Sequence, residues 1–235
     1  MRRLREESLN TQPRIYMERA VLETEAYEKY EGTVSVPELR ALTLRHFFEN
    51  KSISIHKGEL IVGEKGDGPQ SAPTFPELCC HTLEDMKIMD QRELIRFAVS
   101  EEDLRIQKEK IIPYWEKRSI RHKILSSMSE EWKAAYECGI FTEFMEQRGP
   151  GHTVGSNKIY QKGLSDYQED IRRAMDSLDF IHDREALHRK EELSAMYIAC
   201  EAVMILGRRY EELARKMAAE ETDPQWKADL LTIAE

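Results

Sequence analysis

The chain has 235 residues, of which 34% are charged and 40% apolar, and its formal net charge is −9. This acidic balance argues against nucleic acid binding, because nucleic-acid-binding proteins usually carry a basic patch or stripe. No apolar run approaches the roughly 20 residues that a membrane-spanning helix needs, and no apolar core follows the basic start as it would in a signal peptide. We therefore expect a cytoplasmic protein that binds neither nucleic acid nor membrane.

Patterns typical of amphipathic helices cover most of the chain and predict a mainly α fold. Several starts carry capping signals, such as the serine and acidic residues at 100–103 and the Asp-Pro pair at 223–224. The sequence Pro-Tyr-Trp at 113–115 is expected to break the helix before it. The predicted helices cover approximately 13–30, 36–50, 82 onward, 100–111, 129–138, 161–178 and 184–221, with one more starting at 223.

A different pattern occupies residues 52–62. The stretch 52–56 alternates apolar and polar residues, Lys57-Gly58 is a turn signal, and 60–62 is a short apolar run. Alternation with a period of two residues is typical of a half-buried strand. The sequence therefore predicts a short β-hairpin near 53–62, followed by a glycine-rich loop.

Two motifs suggest a metal site. Cys79, Cys80 and His81 are consecutive, but a structural zinc site needs four ligands and adjacent cysteines cannot easily both turn to one ion. Glu185 and His188 form one Glu-x-x-His motif, whereas di-iron bundles need two such motifs and further glutamates. We therefore predict no metal site, and we interpret all four cysteines of the chain as free thiols.

The stretch 147–153 has the strongest functional signal. Helix-forming sequence ends at Gly149-Pro150-Gly151, a tight turn that leads directly to His152. A neutral histidine on such a turn could hydrogen-bond a substrate hydroxyl and relay a proton. From the residues alone, a helix end followed by a purely structural turn, with His152 bonded to the backbone, is slightly favoured over this role.

Five separate segments occur in a recognisable order along the chain. They are Glu18-Arg19-Ala20, Gly58-Glu59-Leu60-Ile61-Val62-Gly63, Pro73-Thr74-Phe75-Pro76-Glu77, Ile112-Pro113-Tyr114-Trp115 and Phe144-Met145-Glu146-Gln147-Arg148-Gly149-Pro150-Gly151-His152-Thr153. In this order, the segments resemble the N-terminal part of the glycyl radical enzymes of the pyruvate formate-lyase family. Within that family, they are most similar to the dehydratase-like branch that includes glycerol (or propanediol) and trans-4-hydroxy-L-proline dehydratases.

The resemblance implies an α/β barrel of ten strands wrapped in helices in the complete enzyme. It also implies a lyase of anaerobic metabolism, in which a glycyl radical generates a cysteine thiyl that abstracts hydrogen from a small hydroxylated substrate, such as glycerol, propane-1,2-diol or hydroxyproline, before water leaves. An iron–sulfur activating enzyme that uses S-adenosylmethionine would install the radical. The full-length enzyme is expected to be a homodimer.

This chain departs from the family pattern because it contains neither a Cys-x-Glu motif nor a glycyl radical loop. We expect residues 1–235 to be the N-terminal portion of a pyruvate formate-lyase domain, inactive alone, with no catalytic residue and no bound cofactor. The resemblance implies that His152 contacts the substrate hydroxyl and that Phe144 lines the substrate pocket. Two alternatives remain: a formate C-acetyltransferase-like member of the family and a non-catalytic helical interaction protein.

A physical prediction follows from the fragment interpretation. Helices that would pack on a barrel lose that cover in the isolated chain, which leaves apolar surface exposed. We expect helical circular dichroism, binding of a dye specific for apolar surface, and a broad, weakly cooperative melt. A sharp two-state melt without dye binding would contradict this interpretation.

Overall fold

A computed structural model describes residues 2–63, 66–140 and 156–235 of the chain. The predicted mainly α fold is confirmed, and the strands of the described residues form one small two-stranded parallel sheet. The chain divides into two compact units: the first comprises Met1–Thr11, Glu25–Ser71 and Asn157–Glu235, and the second Gln12–Thr24 and Ala72–Ser156. Helix α2, Glu18–Tyr30, contributes residues to both. None of the helices in these ranges is long and apolar enough to cross a membrane.

The first unit is built around one long helix, α10, which packs against α3, α9 and α11. Tyr210, Ala214 and Ala218 lie four residues apart on its buried face, and the alanines leave space for the buried Trp226 of α11. Met196 and Val203, on the same helix, are 52% and 44% exposed, so the buried face of α10 does not include them. The elements of the first unit, besides the rest of α2, are α1 Arg2–Asn10, α3 Val36–Asn50, a 3₁₀ helix Ser156–Tyr160, α9 Leu164–Asp176, α10 Ala186–Glu220 and α11 Pro224–Ile233.

The predicted hairpin near 53–62 is wrong, because no strand is present between residues 52 and 63 of the described chain. Ile55 is buried in the core formed with α10 and α11, and Ile53 and Val62 pack against that core. Leu60 and Ile61, in contrast, are 60% and 91% exposed. The alternation therefore marked one face of an extended segment that contacts helices, and the second apolar run does not pair with it.

The C-terminal end of α3 is stabilised by a side chain from α10. The guanidinium of Arg209 donates one hydrogen bond to the carbonyl oxygen of Phe48, at 2.6 Å, and another to that of Lys51, at 2.8 Å. The last carbonyls of a helix have no partner within the helix, so a cation that binds them satisfies acceptors and complements the helix dipole. At the other end, Ser35 and Glu38 form a capping box.

The second unit consists of short helices joined by capped turns. Thr82, Ser100, Ser119 and Ser129 each accept a backbone hydrogen bond at a helix start, which confirms the capping signal at 100–103. The elements of the second unit, besides the start of α2, are β1 Arg14–Tyr16, β2 Ser71–Pro73, α4 Leu83–Gln91, α5 Glu101–Ile106, a π-helix Gln107–Ile111, α6 Ile112–Trp115, α7 Ile120–Ser127 and α8 Glu130–Glu137.

Two predicted boundaries in this unit were wrong. The helix predicted from about residue 13 begins at Glu18, because Ile15 and Pro13 hydrogen-bond with Ala98 and extend the preceding backbone. Pro113 does not break its helix. The π-helical turn before it shifts the hydrogen-bonding register, so that the Ile112 amide donates to the carbonyl of Gln107, and α6 continues with Pro113 in its first turn, where a missing N–H is tolerated.

We expect Arg209→Ala to lower the free energy of unfolding of the 235-residue chain by about 1–3 kcal/mol, because it removes two charge-assisted hydrogen bonds from partly buried carbonyls. Arg208→Ala is the matched control, since it makes the same change one position earlier at an exposed site of the same helix. Urea denaturation followed by circular dichroism measures both. Equal losses in the two variants would contradict the capping role of Arg209.

Candidate functional site

The two substrate-binding residues predicted from the family resemblance, His152 and Phe144, lie outside the described residues, as does the whole stretch 141–155. Their roles therefore stay predictions. In the described part of the second unit, two other segments that carry the resemblance, Glu18-Arg19-Ala20 and Pro73–Glu77, contact each other.

The centre of this meeting point is Arg19, in the first turn of α2. Its Nη2 atom lies 2.6 Å from Oε1 of Glu77, and its Nη1 atom lies 3.1 Å from Oε2 of the same carboxylate. The two residues are 58 positions apart in the chain. Both side chains are only 17% exposed. A bidentate arginine–carboxylate pair of this kind is strong and directional, because two parallel hydrogen bonds fix the planes of both groups.

Two further contacts fix the segment 73–77 around Arg19. The backbone oxygen of Thr74 accepts a hydrogen bond from Nη1 of Arg19 at 3.3 Å. The ring of Phe75 lies against the guanidinium, with 4.0 Å between Cζ and the ring centroid. A cation at this distance from an aromatic face is attracted by the ring quadrupole, the more so when it is shielded from water. Arg19 thus contacts three neighbouring residues of one irregular segment.

Glu23 completes the cluster from α2 itself. It lies one turn after Arg19, with Oε2 3.3 Å from Nη2, and its side chain is 10% exposed. Burial raises the pKa of Glu23 to about 7; Arg19 opposes this rise, and the carboxylate of Glu77 adds to it. The attraction to Arg19 is insufficient to reverse the effect of burial because the same guanidinium already binds Glu77. We call Arg19, Glu23 and Glu77 the Arg19 cluster.

The surroundings hold the Arg19 cluster in place. Next to Glu23, the Thr24 hydroxyl donates to the backbone oxygen of Ala20 and accepts a 2.8 Å hydrogen bond from the buried Trp115 indole. After Glu77, the carbonyls of Glu77 and Leu78 accept the amides of residues 120 and 121 at the start of α7. The cluster therefore links α2, the irregular segment after β2 and the first turn of α7 within one unit.

Sequence reasoning missed this arrangement. It identified Glu18-Arg19-Ala20 and Pro73–Glu77 as segments of family resemblance, but it did not predict their contact. The spacing of Arg19 and Glu23, four residues on one helix, is a signal that could have found half of the cluster. No local pattern connects Arg19 with Glu77, because their contact depends on the path of the chain between them.

The two motifs considered for metal binding, residues 79–81 and residues 185–188, make other contacts. Burial raises the pKa of the Cys80 thiol to about 11, so it stays protonated at neutral pH, and the nearby Gln107 amide donates to the carbonyl of His81 at 2.6 Å. His188 is exposed and lies 3.5 Å from Glu191. Within the residues that the structure describes, no group of three or more metal-ligating side chains comes together.

The described residues thus form a mainly helical structure with one buried cluster of charged side chains in its second unit, the Arg19 cluster. Comparison with known proteins places the chain in a family. The model of the pyruvate formate lyase-like family matches residues 1–235, and the chain belongs to that family. The family resemblance predicted from the five segments is thereby confirmed.

The similar proteins include dehydratases. The chain is 58% identical to trans-4-hydroxy-L-proline dehydratase of Clostridioides difficile, over the whole of this chain and 30% of that protein. The crystal structure of that enzyme with trans-4-hydroxy-L-proline bound superposes with a TM-score of 0.92, over 99% of this chain and 29% of the other.

More distant relatives share the same fold. The glycerol-bound B12-independent glycerol dehydratase from Clostridium butyricum is 28% identical with a TM-score of 0.89, over 99% of this chain and 30% of the other. A glycyl radical enzyme from Archaeoglobus fulgidus is 28% identical with a TM-score of 0.86, over the same shares of the two chains. The chain thus spans about 30% of the length of the relatives it matches.

We expect Arg19→Lys to lower the free energy of unfolding by about 2 kcal/mol, because an ammonium group cannot bind Glu77 in bidentate geometry and also contact Thr74 and Phe75. Arg105→Lys is the matched control: Arg105 also contacts two carboxylates in the second unit, but it is 57% exposed.

Urea denaturation of both variants and the parent chain, followed by circular dichroism, measures the difference. The control should behave like the parent, since exposed ion pairs contribute little to stability. An Arg19→Lys variant as stable as the control would show that the Arg19 cluster does not stabilise the second unit.

Proposed function

We propose that this chain is the N-terminal portion of a glycyl radical dehydratase, and that a longer polypeptide containing it eliminates water from a small hydroxylated substrate. The observation that carries the proposal is the 58% identity to trans-4-hydroxy-L-proline dehydratase over the whole chain. The close superposition on substrate-bound dehydratases supports it. The enzyme would act in the cytoplasm, would assemble as a homodimer and would depend on an iron–sulfur, S-adenosylmethionine-using activating enzyme.

The proposed substrate class is a hydroxylated proline. The chain is about twice as similar in sequence to the hydroxyproline dehydratase as to the glycerol dehydratase, with 58% against 28% identity. A higher identity over the same stretch therefore favours the amino-acid substrate over a simple diol.

His152 and Phe144 are the residues of this chain that we propose to bind substrate. His152 follows Gly149-Pro150-Gly151, and its imidazole would hydrogen-bond the hydroxyl that leaves and hold a proton near it. Phe144 would supply an apolar wall against the ring of the substrate. A neutral imidazole suits this role because it can donate through one nitrogen and accept through the other.

The radical chemistry itself belongs to residues that this sequence does not contain. The family resemblance attributes hydrogen abstraction to a cysteine two residues before a glutamate and radical storage to a glycine, and neither motif occurs among the 235 residues. When present in the longer polypeptide, the glycyl radical would supply the hydrogen-abstracting species. The proposed contribution of this chain is therefore to bind and orient the substrate and to support the fold around it.

The direct test is turnover. A longer polypeptide that contains this chain, activated anoxically by its activating enzyme, should eliminate water from trans-4-hydroxy-L-proline faster than from glycerol. Release of the dehydrated product, followed by mass spectrometry, measures both. An activated enzyme that forms its radical but dehydrates neither compound would contradict the proposed function.

We expect His152→Ala in that polypeptide to lower the dehydration rate by about 10²-fold or more, since it removes a group that holds the leaving hydroxyl and its proton. The glycyl radical signal in electron paramagnetic resonance should be unchanged, because radical storage does not involve this residue. His188→Ala, at an exposed position of α10, is the control. An unchanged dehydration rate in His152→Ala would reject the substrate-binding role while leaving the reaction class intact.

A further inference from the structure

We propose that the Arg19 cluster is a proton-binding site: one proton on Glu23, beside the Arg19–Glu77 pair, keeps the segment 73–78 closed on the start of α2, and loss of that proton loosens it. This inference goes beyond the proposed dehydratase function and does not depend on it. It concerns a conformational response to pH in the second unit.

In the Arg19 cluster, one guanidinium contacts two buried carboxylates. Nη2 of Arg19 lies 2.6 Å from Glu77 and 3.3 Å from Glu23, so both acids contact the same nitrogen. With both carboxylates ionised, the cluster carries a net negative charge in a site where each side chain is at most 17% exposed. One proton makes the cluster neutral, and a neutral cluster costs far less to bury than a charged one.

The groups that act on Glu23 are few. Arg19 faces it from the same helix and Glu77 from the segment after β2, and no other charged group of the described residues contributes to its shift. Beside Glu23 in the chain, the contact that Thr24 makes with α6 is neutral, since the Trp115 indole donates to the Thr24 hydroxyl. The direction of the balance agrees with the geometry, because burial and Glu77 together outweigh Arg19 and bring the pKa of Glu23 to about 7.

The segment that carries Glu77 is the part of the cluster that can change its conformation. Residues 74–80 form turns and irregular backbone, whereas Arg19 and Glu23 are fixed on a regular helix. If Glu23 loses its proton, the two carboxylates repel each other and compete for the same nitrogen of Arg19. This repulsion weakens the contacts of residues 73–78. Among them are the hydrogen bonds that the amides of residues 120 and 121 donate to the carbonyls of Glu77 and Leu78.

The sign of the pH dependence follows from linkage. A glutamate has an ordinary pKa of 4.5, whereas Glu23 in the folded chain holds its proton up to about 7. An opening that exposes Glu23 therefore releases about one proton between these pH values. The stabilisation is fully present below pH 4.5 and is lost as the pH rises through 7. Within the window, the equilibrium constant for opening should rise about tenfold per pH unit.

Hydrogen exchange monitored by mass spectrometry tests this proposal in the 235-residue chain. After correction for intrinsic exchange, the amides of residues 78, 120 and 121 should open about 40-fold more at pH 7 than at pH 5, with little further change above pH 7.5. Glu23→Gln should abolish the rise, because the cluster then stays neutral at every pH. Glu77→Gln should move the rise to lower pH, because Arg19 becomes free to bind Glu23.

Glu102→Gln is the matched control, since Glu102 also pairs with an arginine in the second unit but at an exposed position, and it should keep the parental rise. A flat profile in the parent chain, or an unchanged rise in Glu23→Gln, would overturn the proposal. Carbon-13 titration of glutamate carboxyls in the parent chain gives a result that does not depend on any variant folding. One carboxyl with a midpoint near pH 7 is expected, and carboxyls that all titrate below pH 6 would also overturn it.

Discussion

The second unit depends on the burial of one guanidinium. A charged side chain is rarely removed from water unless it is paired and hydrogen-bonded, and Arg19 satisfies this requirement with a carboxylate, a backbone carbonyl and an aromatic face. All three come from residues 74–77, which have no regular secondary structure of their own. The irregular segment is thus ordered by the cation that it surrounds. The carbonyls of Glu77 and Leu78, in turn, accept the first amides of α7, so the order extends to the next helix.

The first unit uses an arginine for a similar purpose but with a different electrostatic result. Arg209 also anchors another part of the chain, the C-terminal end of α3, but its acceptors are two neutral carbonyls. Such contacts bring no second ionisable group to the arginine. The Arg19 cluster differs because its second carboxylate exceeds the available positive charge. The proposed pH response therefore rests on the count of charges in the site, two carboxylates to one guanidinium, and not on the burial of an arginine alone.

Local signals were enough for most of the helices. The boundaries of α3 and the caps of α5, α8 and α11 follow from residues within one turn of each helix end. Failures occurred where a distant contact decided the result: Ile55 packs on helices instead of pairing in a hairpin, and Ala98 keeps residues 13–16 extended in place of an early start to α2. The Arg19 cluster belongs to this second group, since only the helical spacing of Arg19 and Glu23 was visible in the sequence. The predicted substrate residues, His152 and Phe144, rest on resemblance, because neither helical periodicity nor capping predicts which side chains meet in a pocket.

The segments that carry the family resemblance have different physical roles, and this explains why the family was easier to identify than the substrate. Glu18-Arg19-Ala20 and Pro73–Glu77 supply the cation, the carboxylate and the ring of the Arg19 cluster, and Ile112–Trp115 places Trp115 beside it. These three segments contribute contacts inside the second unit, and a relative that folds in this way can use the same contacts whatever its substrate. Only the stretch around His152 is proposed to contact substrate. A sequence match spread over such segments therefore specifies the scaffold strongly, while the choice of substrate rests on a few side chains around a Gly-Pro-Gly turn.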